Sequence, residues 1–424
     1  MARRAGPDTQ LALSVEDARQ RILARVAPLP AVETPLLDAL GLVLTANISA
    51  PMDVPPFANS AMDGYAVRAV DTADASQAVP VCLTVAGAAP AGAAASVAVA
   101  ASEAVRIMTG AVLPDGADAV IKIEDVRARA GEIGVDRPVR AGANVRRRGE
   151  DFAVGQTVLQ VGTRFGAAEL GAMAALGLAS APVHRRPRVG LLSTGDEVVP
   201  PGASLEHGQI YDCNSVALAA LLRNWGAEPV LLGIALDDVG ELRRRLSGSL
   251  ELDLIVTSGG VSVGDFDLVQ AALNVLGSVE TWIVRMKPGK PLAFGKLGGV
   301  PLLGLPGNPV AALVAFLQFG RPAIMRMMGL PDVLLPEVAA VLTERLVNRG
   351  GRTLFARGRL RQVRDGLQVT PVDAQGSAQL SGLLGADALI VIPEETLTAE
   401  AGSVVRVQVL DPATVIGAMS NVGA

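Results

Sequence analysis

The middle of the chain, residues 187–330, constrains the fold most: short apolar runs alternate there with helical ones. Arg188 to Ser193, Pro229 to Leu236, Leu252 to Thr257, Trp282 to Met286 and Leu302 to Leu305 read as strands. Ser215 to Trp225, Leu268 to Leu276 and a long segment from Val310 read as helices. Runs that are apolar throughout, without alternation, suit strands buried on both faces. The succession predicts a parallel three-layer α/β/α domain, whose ligands sit beyond the carboxyl ends of the strands.

A chain of 424 residues holds several domains. Half of it is apolar and 19% is charged, so large cores can be buried and a disordered chain is excluded. Ser14 can cap a helix with Asp17 three positions on, followed by Ile22, Leu23 and Val26 at helical spacing. A second helix is expected over Pro35 to Leu42 and a third over 165–180, all three packing together. The residues between are rich in Val, Ala, Gly and Pro in short runs. The expected fold is therefore α/β multidomain: a discontinuous helical connecting domain (12–50 and 151–184), an inserted β-rich domain (51–150), the α/β domain (185–332) and a small C-terminal β-barrel or sandwich (333–424). Pro80 to Ala101 is almost uncharged, but Pro90 and Gly92 interrupt it, so short strands are expected and not a membrane span.

A formal net charge of −5 argues against a general nucleic-acid binder. Cys82, Cys213, His184 and His207 are scattered, which gives neither a zinc site nor a disulfide framework and points to a reducing cytoplasm. Met1 to Gln10 is polar and is not read as a signal peptide. Lysine occurs only at 122, 287, 290 and 296, so three of the four fall in one short segment. A lysine is a compact charge suited to one phosphate or carboxylate oxygen.

Several motifs can carry chemistry. Pro55-Pro56-Phe57-Ala58-Asn59-Ser60-Ala61-Met62-Asp63-Gly64 is a stiff loop able to present Asn59, Ser60 and Asp63, or merely a loop entering a strand. Thr109 in Arg106-Ile107-Met108-Thr109-Gly110 offers a hydroxyl after a strand. Arg146-Arg147-Arg148-Gly149-Glu150-Asp151 is either a solvated face or an anion anchor beside two acids. Ser193-Thr194-Gly195-Asp196-Glu197 ends a strand with donors for oxyanions and with acids for Mg2+. Thr257-Ser258-Gly259-Gly260-Val261-Ser262-Val263-Gly264-Asp265-Phe266-Asp267 lets backbone approach a phosphate closely, yet fits neither the P-loop nor the dinucleotide fingerprint. Lys287-Pro288-Gly289-Lys290-Pro291 and Pro306-Gly307-Asn308-Pro309 complete the set; Asn308 suits an N-cap and Pro309 the first helical position, leaving the positive helix end toward an anion.

Taken in order, these segments resemble the MoeA/gephyrin E-domain family of molybdenum insertases along nearly the whole chain. Arg352-Thr353-Leu354-Phe355-Ala356-Arg357 and Gly376-Ser377-Ala378-Gln379-Leu380 are similar to the family's tail domain. The resemblance implies a homodimer with a cleft shared by two protomers, acting on molybdate and adenylylated molybdopterin with Mg2+ and releasing AMP. A molybdopterin adenylyltransferase would supply the substrate. Asp63, Glu197, Asp237 and Asp267 match the family's functional carboxylates and are the expected metal ligands; Asp151 is a further catalytic candidate. Thr109, Lys287, Pro306, Pro309 and Ser377 match residues shaping the substrate site. Asp238 competes with Asp237 and Asp265 with Asp267 for those positions. Some members carry a basic residue where Ile283 follows Trp282, and Arg285 is the expected substitute. The rival functions are the adenylyltransferase reaction itself and a non-enzymatic scaffold.

Overall fold

The computed structural model describes residues 12–93, 97–236, 238–247, 251–259 and 277–410. They fall into two compact units: one from within Met1–Val32, Gly41–Val43 and Val183–Ala424, the other from Glu33–Leu40 and Leu44–Pro182.

The first unit holds a seven-stranded sheet in the order Ala12–Leu13, Gly277–Val284, Pro291–Leu297, Val300–Leu305, Leu254–Ser258, Arg188–Thr194, Glu228–Ala235. The last four are mutually parallel. The sheet as a whole is mixed, which corrects the all-parallel expectation: Pro291–Leu297 runs antiparallel to both of its neighbours. The cause is local, since Gly298 and Gly299 both take positive φ (53° and 95°) and close a two-residue hairpin. One sheet face packs Leu192, Ile255, Ala293 and Leu302 against Leu242 and Leu246 of the helix Val239–Ser247, a helix the sequence reading missed. The helix predicted over Leu268 to Leu276 lies outside the described residues.

The long helix Pro309–Met327 is apolar enough to cross a membrane by composition, but it is almost wholly buried in the protein. Its middle, Phe316–Gly320, widens into a π-helical turn just before Pro322. Proline donates no N–H to the carbonyl four residues earlier. That carbonyl, on Gln318, accepts from Arg19 Nε at 3.3 Å. Arg19 belongs to the helix Val15–Leu23, which carries the predicted Ser14–Asp17 capping box. This N-terminal helix therefore packs on the long helix of the first unit and is not grouped with 165–180 as expected.

The remainder of the first unit is a closed five-stranded barrel of Thr353–Val363, Gly366–Pro371, Glu337–Leu342, Val404–Val409 and Ala388–Ile392, the last pairing back to the first. Its core is Leu342, Ala356, Val369, Ile390 and Val407. The short strand Met286–Lys287 adds to it beside Thr353 and Leu354, so the lysine loop is tied to the barrel by main chain.

The second unit is built on a six-stranded sheet ordered Ala119–Lys122, Gly64–Val67, Glu103–Ile107, Val81–Ala89, Glu132–Val135, Val126–Arg129. Val81–Ala89 falls within the uncharged stretch, as short strands there require. Gly64 is obligatory: a Cβ there would lie 1.9 Å from the Ile121 carbonyl oxygen on the paired strand. Pro35 to Leu42 forms only the 3-10 turn Leu36–Ala39, because Pro35 and Gly41 leave too few residues for an α-helix; this turn packs on the helix Ala167–Ala175.

Candidate functional site

In the first unit, three parallel strands end together. Their last residues, Thr194, Ser258 and Leu305, lead into Gly195, Gly259 and Pro306, and a groove of about 1020 Å³ opens there. Most described candidates from this unit line it: Ser193, Thr194, Gly195, Glu197, Ser258 and Gly259 from the first two strand ends, Lys287 and Lys290 from the hairpin loop, Pro306, Gly307, Asn308 and Pro309 from the third, and Ser377 from the barrel. Asp238 does not; its Oδ1 accepts from Glu241 N at 2.8 Å at the start of the helix Val239–Ser247. Asp237, Gly260, Ser262, Asp265 and Asp267 lie outside the described residues.

The groove is polar by construction. Ser193 and Thr194 are buried, and Ser193 Oγ lies 3.4 Å from Ser258 Oγ. Among the described residues Thr194 Oγ1 and Thr257 Oγ1 are buried without a hydrogen-bond partner, and of the two Thr194 lines the groove. The Gly259 backbone touches this wall so closely that a Cβ would sit 2.5 Å from the Thr194 carbonyl oxygen. Lys287, Lys290 and Glu197 are exposed in the groove.

Two expectations need correction. Asn308 sits at the N-cap position and Pro309 at the first turn, but the Asn308 side chain makes no capping bond. It donates instead to Ser377 Oγ at 3.3 Å. The Ser377 carbonyl accepts from Val310 N (3.1 Å) and Ala311 N (3.3 Å), so these helix-end N–H groups serve the barrel and are not free for an anion. Arg285, expected to replace the missing basic residue at Ile283, is committed elsewhere: it pairs with Glu394 at 2.8 Å and donates to the Ala12 carbonyl.

Several groove residues were not assigned from sequence. Arg357 is 1% exposed, on a barrel strand. Its Nη2 donates to the Ala374 (2.6 Å) and Gly376 (3.1 Å) carbonyls, while Nε has no partner among the described residues. Among the described residues no carboxylate pairs with it, and burial pulls its pKa below the ordinary arginine value. A buried guanidinium without a counter-ion favours an anionic ligand. Arg352 joins it at the groove. Asn214 Nδ2 holds the Gly307 carbonyl at 2.8 Å, and buried Asp212 accepts from Ser215 N at 3.0 Å. The available signals were a charged residue within the apolar run Leu354 to Leu360 and a polar Asp212-Cys213-Asn214 opening a helix. Burial also raises the pKa of the Cys213 thiol, so it stays protonated at neutral pH.

The second unit carries the other candidates. Asp63 is exposed, and its Oδ1 accepts from both Thr109 N (2.7 Å) and Thr109 Oγ1 (2.8 Å). These bonds, the backbone one foremost, hold its carboxyl below the usual aspartate pKa. Asn59 and Asp151 line a separate hollow of about 500 Å³ with Val54, Pro55, Arg146 and Glu150. Asn59 Oδ1 is buried without a partner among the described residues. Ser60 does not present its hydroxyl: it is fully buried and donates to the Met62 carbonyl at 2.5 Å, shaping the turn. The arginine run divides its work, since Arg148 pairs with Asp53 at 2.6 Å while Arg146 faces the hollow.

Comparison with known proteins agrees with this layout. Residues 13–177 match the MoeA N-terminal region (domain I and II), 190–326 a probable molybdopterin binding domain, and 339–410 the MoeA C-terminal region (domain IV). Molybdopterin molybdenumtransferase 2 of Mycobacterium tuberculosis is 40% identical over 404 residues, covering 93% of this chain and 98% of the relative. The molybdopterin molybdenumtransferase of Haemophilus influenzae is 37% identical over 401 residues, covering 93% and 98%. The crystal structure of the molybdopterin biosynthesis MoeA protein from Pyrococcus horikosii superposes with a TM-score of 0.82 at 33% identity, covering 95% of this chain and all of that one. With relatives this similar along almost its full length, the chain belongs to the MoeA family of molybdopterin molybdenumtransferases.

Proposed function

We propose that this protein transfers molybdenum from molybdate to the dithiolene of adenylylated molybdopterin, with Mg2+, and releases AMP. The observation that carries the reading is the groove at the strand ends, where Lys287, Lys290, Arg352 and Arg357, the last without a carboxylate among the described residues, gather beside the Thr194 hydroxyl and the Ser193–Ser258 pair. Cleavage of a phosphoanhydride needs charge neutralisation more than a nucleophilic side chain. Molybdate, as an oxyanion, asks for the same donors. The protonated Cys213 thiol is not needed as a nucleophile.

When bound, Mg2+ supplies positive charge to phosphate oxygens. It commonly takes one or two carboxylates, with substrate and water completing its shell. Among the described residues no cluster of three or more His, Cys, Asp or Glu forms, and Glu197 with Asp212 in the groove fits that sparser requirement. Asp63, kept ionised by Thr109, is the second unit's candidate ligand. In this proposal the protein works as a homodimer, the two donor sets serve one reaction, and an adenylyltransferase supplies the substrate.

The test is AMP release from adenylylated molybdopterin with molybdate and Mg2+. Asp63→Asn and Glu197→Gln should each fold normally and lose about a hundredfold in molybdenum insertion, as when one preorganised electrostatic group is removed. Mixing the two variants should restore part of the activity if the donor sets come from different protomers. Unchanged cofactor yield in both variants would remove the metal-site assignment, and adenylate formation from molybdopterin and ATP would move the protein to the adenylyltransferase reaction.

A further inference from the structure

Among the described residues, one aromatic side chain lines the first unit's groove, that of Tyr211. Aromatics make up only 3% of this chain, with two tyrosines in all, so few side chains were available for the position. Tyr211 ends the short strand Ile210–Tyr211, paired in parallel with Val198–Val199. The main chain is fixed on both sides: Ile210 N donates to the Glu197 carbonyl at 2.8 Å and Asp212 N to the Val199 carbonyl at 2.9 Å. The phenol is fixed as well, since its hydroxyl donates to the Ala203 carbonyl at 2.9 Å. Yet the residue is 44% exposed, and Ile210 beside it is 55% exposed. The ring is thus held in place and left bare, which packing within the unit does not explain.

The substrate read in the preceding section has phosphates and an oxyanion to occupy the cationic and hydroxyl donors. Those donors can bond the edges of its flat heteroaromatic rings but give no surface for the ring faces. We propose that Tyr211 is the platform on which such a ring stacks, with Ile210 and Val198 as its apolar border; the ligand class is a planar nitrogen heterocycle, adenine or pterin. A ring already anchored loses little freedom on binding, and aromatic stacking accepts any heterocycle with a π-face. This inference rests on the molybdopterin reading only for the identity of the ring.

The experiment titrates AMP, ribose 5-phosphate and free pterin into the full chain by calorimetry, as wild type, Tyr211→Leu and Tyr211→Phe. Wild type should bind AMP more tightly than ribose 5-phosphate. Tyr211→Leu should weaken AMP or pterin about tenfold while leaving ribose 5-phosphate unchanged, and Tyr211→Phe should restore most of the loss. A loss confined to AMP assigns the platform to adenine; one confined to pterin assigns it to the pterin. The proposal is overturned if Tyr211→Leu binds both rings as wild type does. It is equally overturned if that variant loses ribose 5-phosphate too, or if wild type binds AMP no better than ribose 5-phosphate and does not bind pterin. AMP release from adenylylated molybdopterin, followed on the same samples, tests the functional reading separately: an inactive wild type sinks that reading, whereas an active one with unaltered Tyr211→Leu binding sinks the platform alone.

Discussion

The two regions that carry candidate residues solve opposite electrostatic problems. In the first unit, cationic and hydroxyl groups line a deep groove whose walls are strand ends, a helix start and a barrel strand. There Arg357 is buried, and its charge is left without a carboxylate among the described residues. In the second unit, the candidate carboxylate Asp63 is exposed, and two hydrogen bonds from a single residue, Thr109, lower its pKa. A buried cation is costly and is retained where an anion will meet it; an exposed carboxylate is cheap and needs only orientation. The groove thus depends on packing, whereas the carboxylate loop depends on a few local bonds.

Four changes would break or sharpen that contrast. The largest effect should come from Gly64→Ala, whose methyl group would meet the Ile121 carbonyl oxygen at 1.9 Å. It should cost about 4 kcal/mol or more, read in thermal unfolding of the second unit. Arg357→Met should come next: molybdenum insertion falls about a hundredfold while the melting temperature moves by only a few degrees, because an apolar chain of similar reach replaces a buried charge. A large fall in stability instead would make Arg357 structural.

Thr109→Val removes one of the two bonds to Asp63 and should move its pKa part of the way back up, followed by carboxyl-carbon NMR titration. The sign follows from the depressed folded value: the bonds stabilise the fold above the ordinary aspartate pKa of 3.8, and that stability is lost as pH falls through the lower folded value. In the valine variant the loss should be smaller and complete at a higher pH. The smallest effect is expected from Asn308→Ala, which gives up one 3.3 Å bond to Ser377 on an exposed residue. A shift of about 0.5 kcal/mol in urea unfolding is the expected size, since the Ser377 carbonyl still holds the helix end.

Much of this arrangement was legible. The strand ends at Thr194 and Ser258, the lysine loop and the Pro306–Pro309 segment stand together as the βα succession required. Legibility failed where a side chain's role depends on a partner distant in sequence. Asn308 looked like a cap because helix starts favour Asn, yet its partner is Ser377, 69 residues away. Ser60 looked available until the turn at Met62 consumed its hydroxyl. Arg357 stood in plain view within a strand-like run, but only closure of the barrel buries it.

The succession of wholly apolar runs and helical segments determined by itself that an α/β sheet would form with its polar motifs at the strand ends, because burial and backbone hydrogen bonding leave a strand few alternatives. The Gly298-Gly299 turn was equally local, and it reverses a strand within two residues. What tertiary structure alone decided was how each charge would be met: Arg357 buried against backbone carbonyls without a carboxylate among the described residues, Arg285 paired with Glu394, and Asp63 bonded by Thr109. Charge pairing acts through space over a few ångströms, and only folding sets which groups lie that close.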